Sequence, residues 1–254
     1  MDNKEEKADR LFGLLGKDIS YSFSRGYFSE KFKKENLENC EYTNFDIAKI
    51  ENFPKIISEN LNGISGINVT IPYKEEVMQF LNEIDPEAKE IGAVNTIKIL
   101  QNNKLKGFNT DVYGFENSLK PLLKKHHKKA LILGTGGASK AVAYAFKKLE
   151  IDFYFVSRKP KNKTQISYEE ITEKLLSEYH ILINCSPVGT FPNIEESPNI
   201  PYQFLSKEHL LFDLIYNPSE TAFLLEGKKR GATIKNGYEM LELQAQKSWE
   251  IWNS

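Results

Sequence analysis

Residues 130–146 constrain the fold of this chain more than any other stretch. The apolar run Ala130-Leu-Ile-Leu133 enters Gly134-Thr-Gly-Gly-Ala-Ser-Lys140, which opens the helix-forming stretch Ala141-Val-Ala-Tyr-Ala-Phe146. Strand, glycine turn and helix in that order begin a parallel βαβ unit. Gly134, Gly136 and Gly137 permit a tight turn and a close backbone approach, and Thr135 and Ala138 complete the loop. The free N–H groups and the dipole at the helix start then favour a pyrophosphate. Ser139 stands where the usual fingerprint has its third glycine, so a tight turn without a ligand is the alternative reading.

The next strand-like run, Ile151-Asp-Phe-Tyr-Phe-Val156, ends in Ser157-Arg158-Lys159-Pro160-Lys161. Dinucleotide enzymes that use NAD carry an acidic residue near this point to accept from the ribose 2′-hydroxyl. Arginine instead offers a planar fork and positive charge to a 2′-phosphate, where an aspartate would repel it. Ser157, Arg158 and Lys159 are therefore read as a site for the phosphorylated cofactor NADP, against the alternative of a basic surface turn.

Composition narrows the function classes. The 254 residues, 40% hydrophobic and 27% charged, are enough for one large or two modest domains, and two are preferred here. A net charge of −1 provides no overall field for nucleic acid or an anionic membrane. Cys40 and Cys185 lie far apart without metal-type spacing, and neither a signal peptide nor a long apolar span is present. No metal and a cytoplasmic location are the resulting expectations. His126, His127, His180 and His209 form no ligand or triad pattern and are expected on surfaces or element ends.

Periodicity predicts an N-terminal mixed-sheet domain over 11–110 and a parallel-sheet, Rossmann-like domain over 124–236, an α/β chain throughout. Residues 1–10 read as a flexible lead-in. Strands are predicted at 11–16, 41–45 and 63–70, helices at 24–36, 52–60 and 74–81, and a hairpin joins 93–100 to 104–107. A helix over 111–123 connects the domains. Lys124-Lys-His-His-Lys-Lys129 is read as a solvated connector. Strand runs at 130–133, 153–156, 181–184 and 210–215 are expected to alternate with helices, and an amphipathic helix from 237 to return to the first domain.

Two residues suggest proton transfer. Lys74 ends Gly66-Ile-Asn-Val-Thr-Ile-Pro-Tyr-Lys74 and Asp111 ends Gly107-Phe-Asn-Thr-Asp111, a lysine and a carboxylate framed by small polar residues. An ordinary surface lysine and a helix N-cap aspartate are the bland alternative.

The ordered set Ser20-Tyr-Ser-Phe-Ser24, Asn68-Val-Thr-Ile-Pro-Tyr-Lys74, Gly92-Ala-Val-Asn-Thr96, Asn109-Thr-Asp111, Gly134-Thr-Gly-Gly-Ala138, Asn184-Cys-Ser-Pro-Val-Gly189 and Gly237-Tyr-Glu-Met-Leu-Glu-Leu-Gln244 resembles the shikimate dehydrogenase family, from Leu11 to the end. The resemblance implies NADPH-dependent, reversible reduction of 3-dehydroshikimate to shikimate, in aromatic amino-acid biosynthesis. It assigns Ser22 and Ser24 to the substrate carboxylate. Asn68, Thr70, Asn95 and Gln244 then hold the ring hydroxyls around the catalytic pair Lys74 and Asp111. Tyr216, Ser186 and Gly237 match positions beside the nicotinamide or the substrate carboxylate. Two departures stand out: Arg25 replaces the family's proline after the second serine, and Ser157-Arg158-Lys159 replaces an asparagine-arginine-threonine turn. A quinate/shikimate dehydrogenase using NAD, or a non-catalytic ligand-binding homologue, are the competing readings. Small-molecule substrates, no nucleic acid, no membrane, and a monomer or homodimer complete the expectations.

Overall fold

The computed structural model describes residues 9–20 and 22–254. Residues 1–8 of the expected lead-in, and Tyr21, lie outside the described residues. The chain divides into two compact units, one of residues 1–110 with 245–254, the other of residues 111–244.

The first unit is built on a six-stranded sheet. Its strands are β1 (Arg10–Gly16), β2 (Cys40–Asp46), β3 (Ile64–Val69), β4 (Glu83–Ile84), β5 (Thr96–Ile99) and β6 (Leu105–Phe108), in the order β2-β1-β3-β5-β6-β4. β1 runs parallel to β2 and β3, whereas β5 is antiparallel to both β3 and β6. This is the mixed pairing expected. In consequence the C-terminal ends of β1, β2, β3 and β6 and the start of β5 share one edge, and the polar motifs lie on that edge. One apolar cluster, with Phe53, Ile67, Val77 and Ile97 fully buried, packs with α2 (Phe53–Asn60). The other gathers Phe12, Phe28, Phe32 and Trp252 between β1, α1 (Phe23–Lys34) and the end of α8 (Tyr238–Asn253).

Close packing there demands glycine. A Cβ on Gly66 would lie 2.5 Å from Cδ1 and Cε2 of the Trp252 indole, whose Nε1–H donates to the Ile97 carbonyl at 3.0 Å. The first strand begins at Arg10, not Leu11: the Arg10 guanidinium donates to Asn253 Oδ1 at 2.9 Å and lies 5.0 Å from the centroid of the Phe12 ring.

Two expectations for this unit need correction. The predicted helix over 74–81 is a turn followed by a 3-10 segment at Glu76–Phe80, because the Lys74 carbonyl accepts from Val94 N–H at 2.7 Å and so is engaged outside any helix. Between 82 and 92, where no element was expected, lie β4 and α3 (Pro86–Ile91). Asp85 caps α3 by accepting from Glu87 N–H at 3.0 Å, Pro86 stands in its first turn, and Gly92 ends it at φ 73°.

The second unit holds β7 (Lys129–Leu133), β8 (Asp152–Val156), β9 (Gln165–Ile166), β10 (Ile181–Asn184), β11 (Leu210–Asp213) and β12 (Thr233–Lys235) in the order β12-β11-β10-β7-β8-β9, every pair parallel. Numbered from β7, that is the doubly wound order 3-2-1-4-5-6, whose reversal lies between β7 and β10. Helix α4 (Asp111–Leu119) ends in a 3-10 turn at Lys120–Leu122. Helices α5 (Gly137–Lys148) and α7 (Ala222–Lys229) supply full crossovers, whereas α6 (Glu173–Leu176) is a single turn. The expected alternation with helices fails between β10 and β11, where residues 185–209 cross with only a 3-10 turn at Tyr202–Phe204. Apolar burial there comes from Ile200 and Leu205 in place of a helix face.

His180 and His209 stand immediately before β10 and β11, at element ends as expected, whereas His127 departs from expectation by being buried within the basic connector. His127 and His209 are both 3% exposed. His127 Nδ1 accepts from Lys124 N–H at 3.0 Å while its Nε2 meets the Glu208 carbonyl at 3.1 Å. His209 Nδ1 accepts from Ser206 N–H at 3.0 Å while its Nε2 meets the Leu176 carbonyl at 3.0 Å. His126 and His180 complete a row of rings with successive centroids 4.3, 5.4 and 5.3 Å apart. Burial pushes His127, His180 and His209 below the ordinary imidazole value. Among the described residues no helix is long and apolar enough to cross a membrane.

Candidate functional site

On the first unit the edge formed by β1, β3, β5 and β6 carries Asn68, Thr70 and Asn95 of the predicted substrate residues. Backbone bonds join its segments: Thr70 N–H donates to the Leu15 carbonyl at 2.9 Å, Val69 N–H to Asn95 at 2.8 Å, and Asn95 N–H to Phe108 at 3.1 Å. The Asn95 side chain, 2% exposed, accepts from Thr110 N–H at 2.7 Å and donates to Thr110 Oγ1 at 3.0 Å. Asn109 donates to the Ala93 carbonyl at 2.9 Å. The motifs at 68–74 and 92–96 and the pair Asn109-Thr110 are thus one hydrogen-bonded surface, although up to 42 residues separate them in the sequence (110 − 68).

Asn68 is committed inward. Its Oδ1 accepts from the Tyr42 hydroxyl at 2.9 Å, and its amide donates to Ser248 Oγ at 2.9 Å and to Thr96 Oγ1 at 3.3 Å. Tyr42, Thr96, Thr110 and Ser248 therefore belong to the site's supporting network, and sequence reading gave none of them a role. Thr96 and Thr110 were visible within the quoted motifs; Ser248, far away on α8, carried no local signal. Burial pushes the Tyr42 phenol far above its ordinary value, with a hydrogen bond from Ser24 as the opposing influence.

Ser22 stands at the N-cap position of α1 without making the capping bond, and its buried hydroxyl oxygen has no partner among the described residues. Ser24, the second residue of α1, is buried at 9% exposure. Thr70 and Lys74 are half-buried beyond the end of β3. Asp111, 5% exposed, opens α4 at the start of the second unit. Gln244, 8% exposed, donates to the Leu241 carbonyl at 3.0 Å within α8.

On the second unit the predicted cofactor residues gather at the C-terminal edge of the parallel sheet. Gly134 leaves β7 at φ 114°, in the region that favours glycine, and a Cβ there would sit 3.2 Å from the Cys185 carbonyl carbon. Gly136 caps α5 with nothing within 4 Å of where its Cβ would stand, so the approach to the helix start is open. Gly137 and Ala138 form the first turn, with Thr135 before them. Ser139, in place of a glycine, is fully buried and donates its hydroxyl to the Gly136 carbonyl at 2.6 Å, which ties the turn from within. At the end of β8, Ser157 Oγ accepts from Lys159 N–H at 3.2 Å, and Arg158 and Lys159 project into solvent.

After β10, Ser186 donates its hydroxyl to Asn184 Oδ1 at 2.6 Å. Tyr216 follows β11 and is half-buried. Gly237, buried ahead of α8, donates its N–H to the Ile215 carbonyl at 3.1 Å; a Cβ there would lie 2.7 Å from the Leu214 carbonyl carbon, so no other residue fits. Among the described residues no group of three or more histidine, cysteine or acidic side chains could hold a metal ion.

Residues 14–97 match the family described as the shikimate dehydrogenase substrate binding domain. A shikimate dehydrogenase (NADP(+)) of Caldanaerobacter subterraneus is 37% identical, the alignment covering 98% of this chain and 93% of that protein. Shikimate dehydrogenase 1 of Peptoclostridium difficile superimposes with a TM-score of 0.83 at 41% identity, over 96% of this chain and 91% of that one. The Thermus thermophilus shikimate 5-dehydrogenase, solved in complex with NADP(H) and shikimate, gives a TM-score of 0.83 at 30% identity over 96% and 93%. Likeness of this extent, carried on both compact units, leaves one conclusion: the chain belongs to the shikimate dehydrogenase family.

Proposed function

We propose that this chain catalyses the reversible, NADPH-dependent reduction of 3-dehydroshikimate to shikimate, with the first unit as substrate domain and the second as cofactor domain. The observation that carries the reading is the pairing of a doubly wound sheet, whose glycine turn is open and whose second strand ends in Arg158, with a polar edge that ends in Lys74. The residues present fit the cofactor. Gly134, Thr135, Gly136, Gly137 and Ala138 would hold the pyrophosphate at the α5 start, and Ser157, Arg158 and Lys159 the 2′-phosphate. Ser186 and Gly237 line the other end. When bound, NADPH supplies the hydride.

The protein's own groups do the rest. Lys74 donates a proton to the carbonyl oxygen as it becomes an alcohol, and Asp111 supports and orients that ammonium; shikimate oxidation uses the same pair as base. Ser22, whose buried hydroxyl has no partner among the described residues, and Ser24 hold the substrate carboxylate. Thr70, Asn95, Tyr216 and Gln244 fix ring oxygens, and Asn68 acts chiefly by bracing that surface through Tyr42 and Ser248. Neutral amides and hydroxyls can orient several oxygens without adding charge beside the dyad.

Shikimate oxidation followed at 340 nm with NADP+ or NAD+ at equal concentrations tests the reading. Turnover with a strong preference for NADP+ is the expected result. Comparable efficiency with NAD+ would remove the role given to Arg158, and no turnover with either would leave a ligand-binding protein.

A further inference from the structure

The second unit contains a buried carboxylate outside the groups given a role above. Asp213, the last residue of β11, is fully buried. Its Oδ1 accepts from the Asn184 amide at 3.1 Å and from Ile215 N–H at 3.0 Å, and its Oδ2 accepts from the Thr221 hydroxyl at 2.6 Å. Asn184, the last residue of β10, is itself fully buried. It passes the connection on: its Oδ1 accepts from Ser186 N–H at 3.1 Å and from the Ser186 hydroxyl at 2.6 Å, and its amide also donates to the Val188 carbonyl at 3.2 Å. Thr221 in turn caps α7 by accepting from Leu224 N–H. One carboxylate therefore links the loop after β10, the loop after β11 and the start of α7.

The position of these loops in the sheet gives the linkage a function. A doubly wound sheet binds a dinucleotide across its switch point, one mononucleotide to each half. The glycine turn after β7 and the Arg158 turn after β8 occupy one half, so the nicotinamide half faces the loops after β10 and β11. Gly134 and the Cys185–Ser186 backbone lie against one another at that point.

We propose that Asp213 is a positioning residue for the nicotinamide half of the cofactor site, holding the 184–189 and 213–216 loops in one arrangement through Asn184, Ile215 and Thr221. The inference rests on the dinucleotide reading of the second unit. Its chemistry suits a carboxylate, because all three neighbours donate and only an acceptor at both ends meets them without an added proton. Burial pushes the Asp213 carboxyl up to about 6, with Thr221, Ile215 and Asn184 opposing that rise, so the group is mainly ionised at neutral pH. A buried ion held by three donors fixes geometry more stringently than an apolar contact, which tolerates sliding.

Adenosine 2′,5′-bisphosphate reports only the half bound by Arg158, whereas shikimate oxidation with NADP+ reports both halves. For Asp213→Leu, which removes all three bonds while keeping the branched shape, kcat should fall about 10- to 100-fold, with bisphosphate affinity held within about twofold. Asp213→Asn keeps an acceptor toward Asn184 and Ile215 and can donate to Thr221, so its loss should be only about threefold. If Asp213→Leu does not fold, Asn184→Ala decides, since it cuts the 184–189 loop free but leaves Asp213 its bonds from Ile215 and Thr221; the same split is expected. Unchanged kcat in the folded variants overturns the proposal, and so does a parallel loss of bisphosphate binding, which would indicate general loosening. Failure of the unaltered protein to bind the bisphosphate would instead overturn the dinucleotide reading, and the proposal with it.

Discussion

Replacing Gly66 by alanine adds one methyl group at the point where β3 passes the face of Trp252. The new Cβ would stand 2.5 Å from two indole carbons, about 1 Å inside ordinary van der Waals contact. Trp252 is 5% exposed and packs against Phe12 and Phe28 at centroid distances of 4.9 and 5.4 Å, so it has no space to retreat without moving them. Overpacking of this kind costs about 1–3 kcal/mol, and a displaced indole also leaves its own buried N–H without the Ile97 carbonyl, about 1–3 kcal/mol more. A loss of about 2–6 kcal/mol follows for the first unit. Gly26, within α1, is the internal control: nothing lies within 4 Å of its Cβ position, so Gly26→Ala should stabilise the helix by about 0.5–1 kcal/mol. The chain's two tryptophans, Trp249 and Trp252, both belong to the first unit, so urea unfolding followed by tryptophan fluorescence reads it selectively. Equal midpoints for Gly66→Ala and the unaltered protein would refute the packing argument, as would a midpoint for Gly26→Ala lower than the unaltered one.

Lys74→Met should lower kcat for shikimate oxidation by about 100- to 10,000-fold with a smaller effect on KM, measured in steady state with NADP+; near-normal turnover would remove the lysine from proton transfer. Combining Ser157→Asp with Arg158→Leu should erase or invert the preference for NADP+ over NAD+, read as the ratio of their kcat/KM values. His127 and His209 are held neutral by accepting backbone N–H bonds, and burial keeps them and His180 below the ordinary value. The unfolded chain therefore takes up protons first, and the second unit should lose stability as pH falls below about 6.5. Asp213 acts with the opposite sign in a lower window: its raised value makes the folded state the better proton acceptor, and stability is gained as pH falls from about 6 toward 3.8. Urea midpoints by circular dichroism at pH 8, 6.5 and 5.5 check the histidine effect, and a flat profile would contradict it.

Sequence periodicity reached much of this structure where an element was long or bounded by strong signals. The run 130–133, the glycine turn and the helix after it, the amphipathic C-terminal helix and the hairpin about Asn102-Asn103 all lie where pattern places them. It failed where tertiary bonds took over: Pro72 to Leu81 carries helix-forming residues, yet Val94 captures the Lys74 carbonyl and only a 3-10 segment remains. The Asp85-Pro86 start and Gly92 stop of α3 are local signals that the sequence does carry. At the site, motif residues such as Asn95 and Gly134 were visible because each has an unusual chemical task. Their supports were not: Ser248 meets Asn68 across 180 positions, and Thr221 meets Asp213 only because two strand ends converge. Nothing in local composition encodes such meetings. The burial of His127 and His209 was not legible for the same reason, since the Glu208 and Leu176 carbonyls that meet them lie 81 and 33 positions away.

The division of the chain into 111–244 and a first unit built from both flanks has a consequence for biosynthesis. Ribosomes synthesise a chain from its N-terminus at about 5–20 residues per second, and domains ordinarily fold in that order. Here the order is reversed. Strand β1 and α1 emerge early, yet Phe12 and Phe28 are covered by Trp252, and Arg10 is bonded to Asn253. The contiguous second unit can close first, while the apolar face of the first stays open for the roughly 7–30 s needed to add the 144 residues from 111 to 254. That interval is a window for chaperone capture or misassociation, and it would close sooner in a circular permutant that begins at Ala245 and joins the present termini.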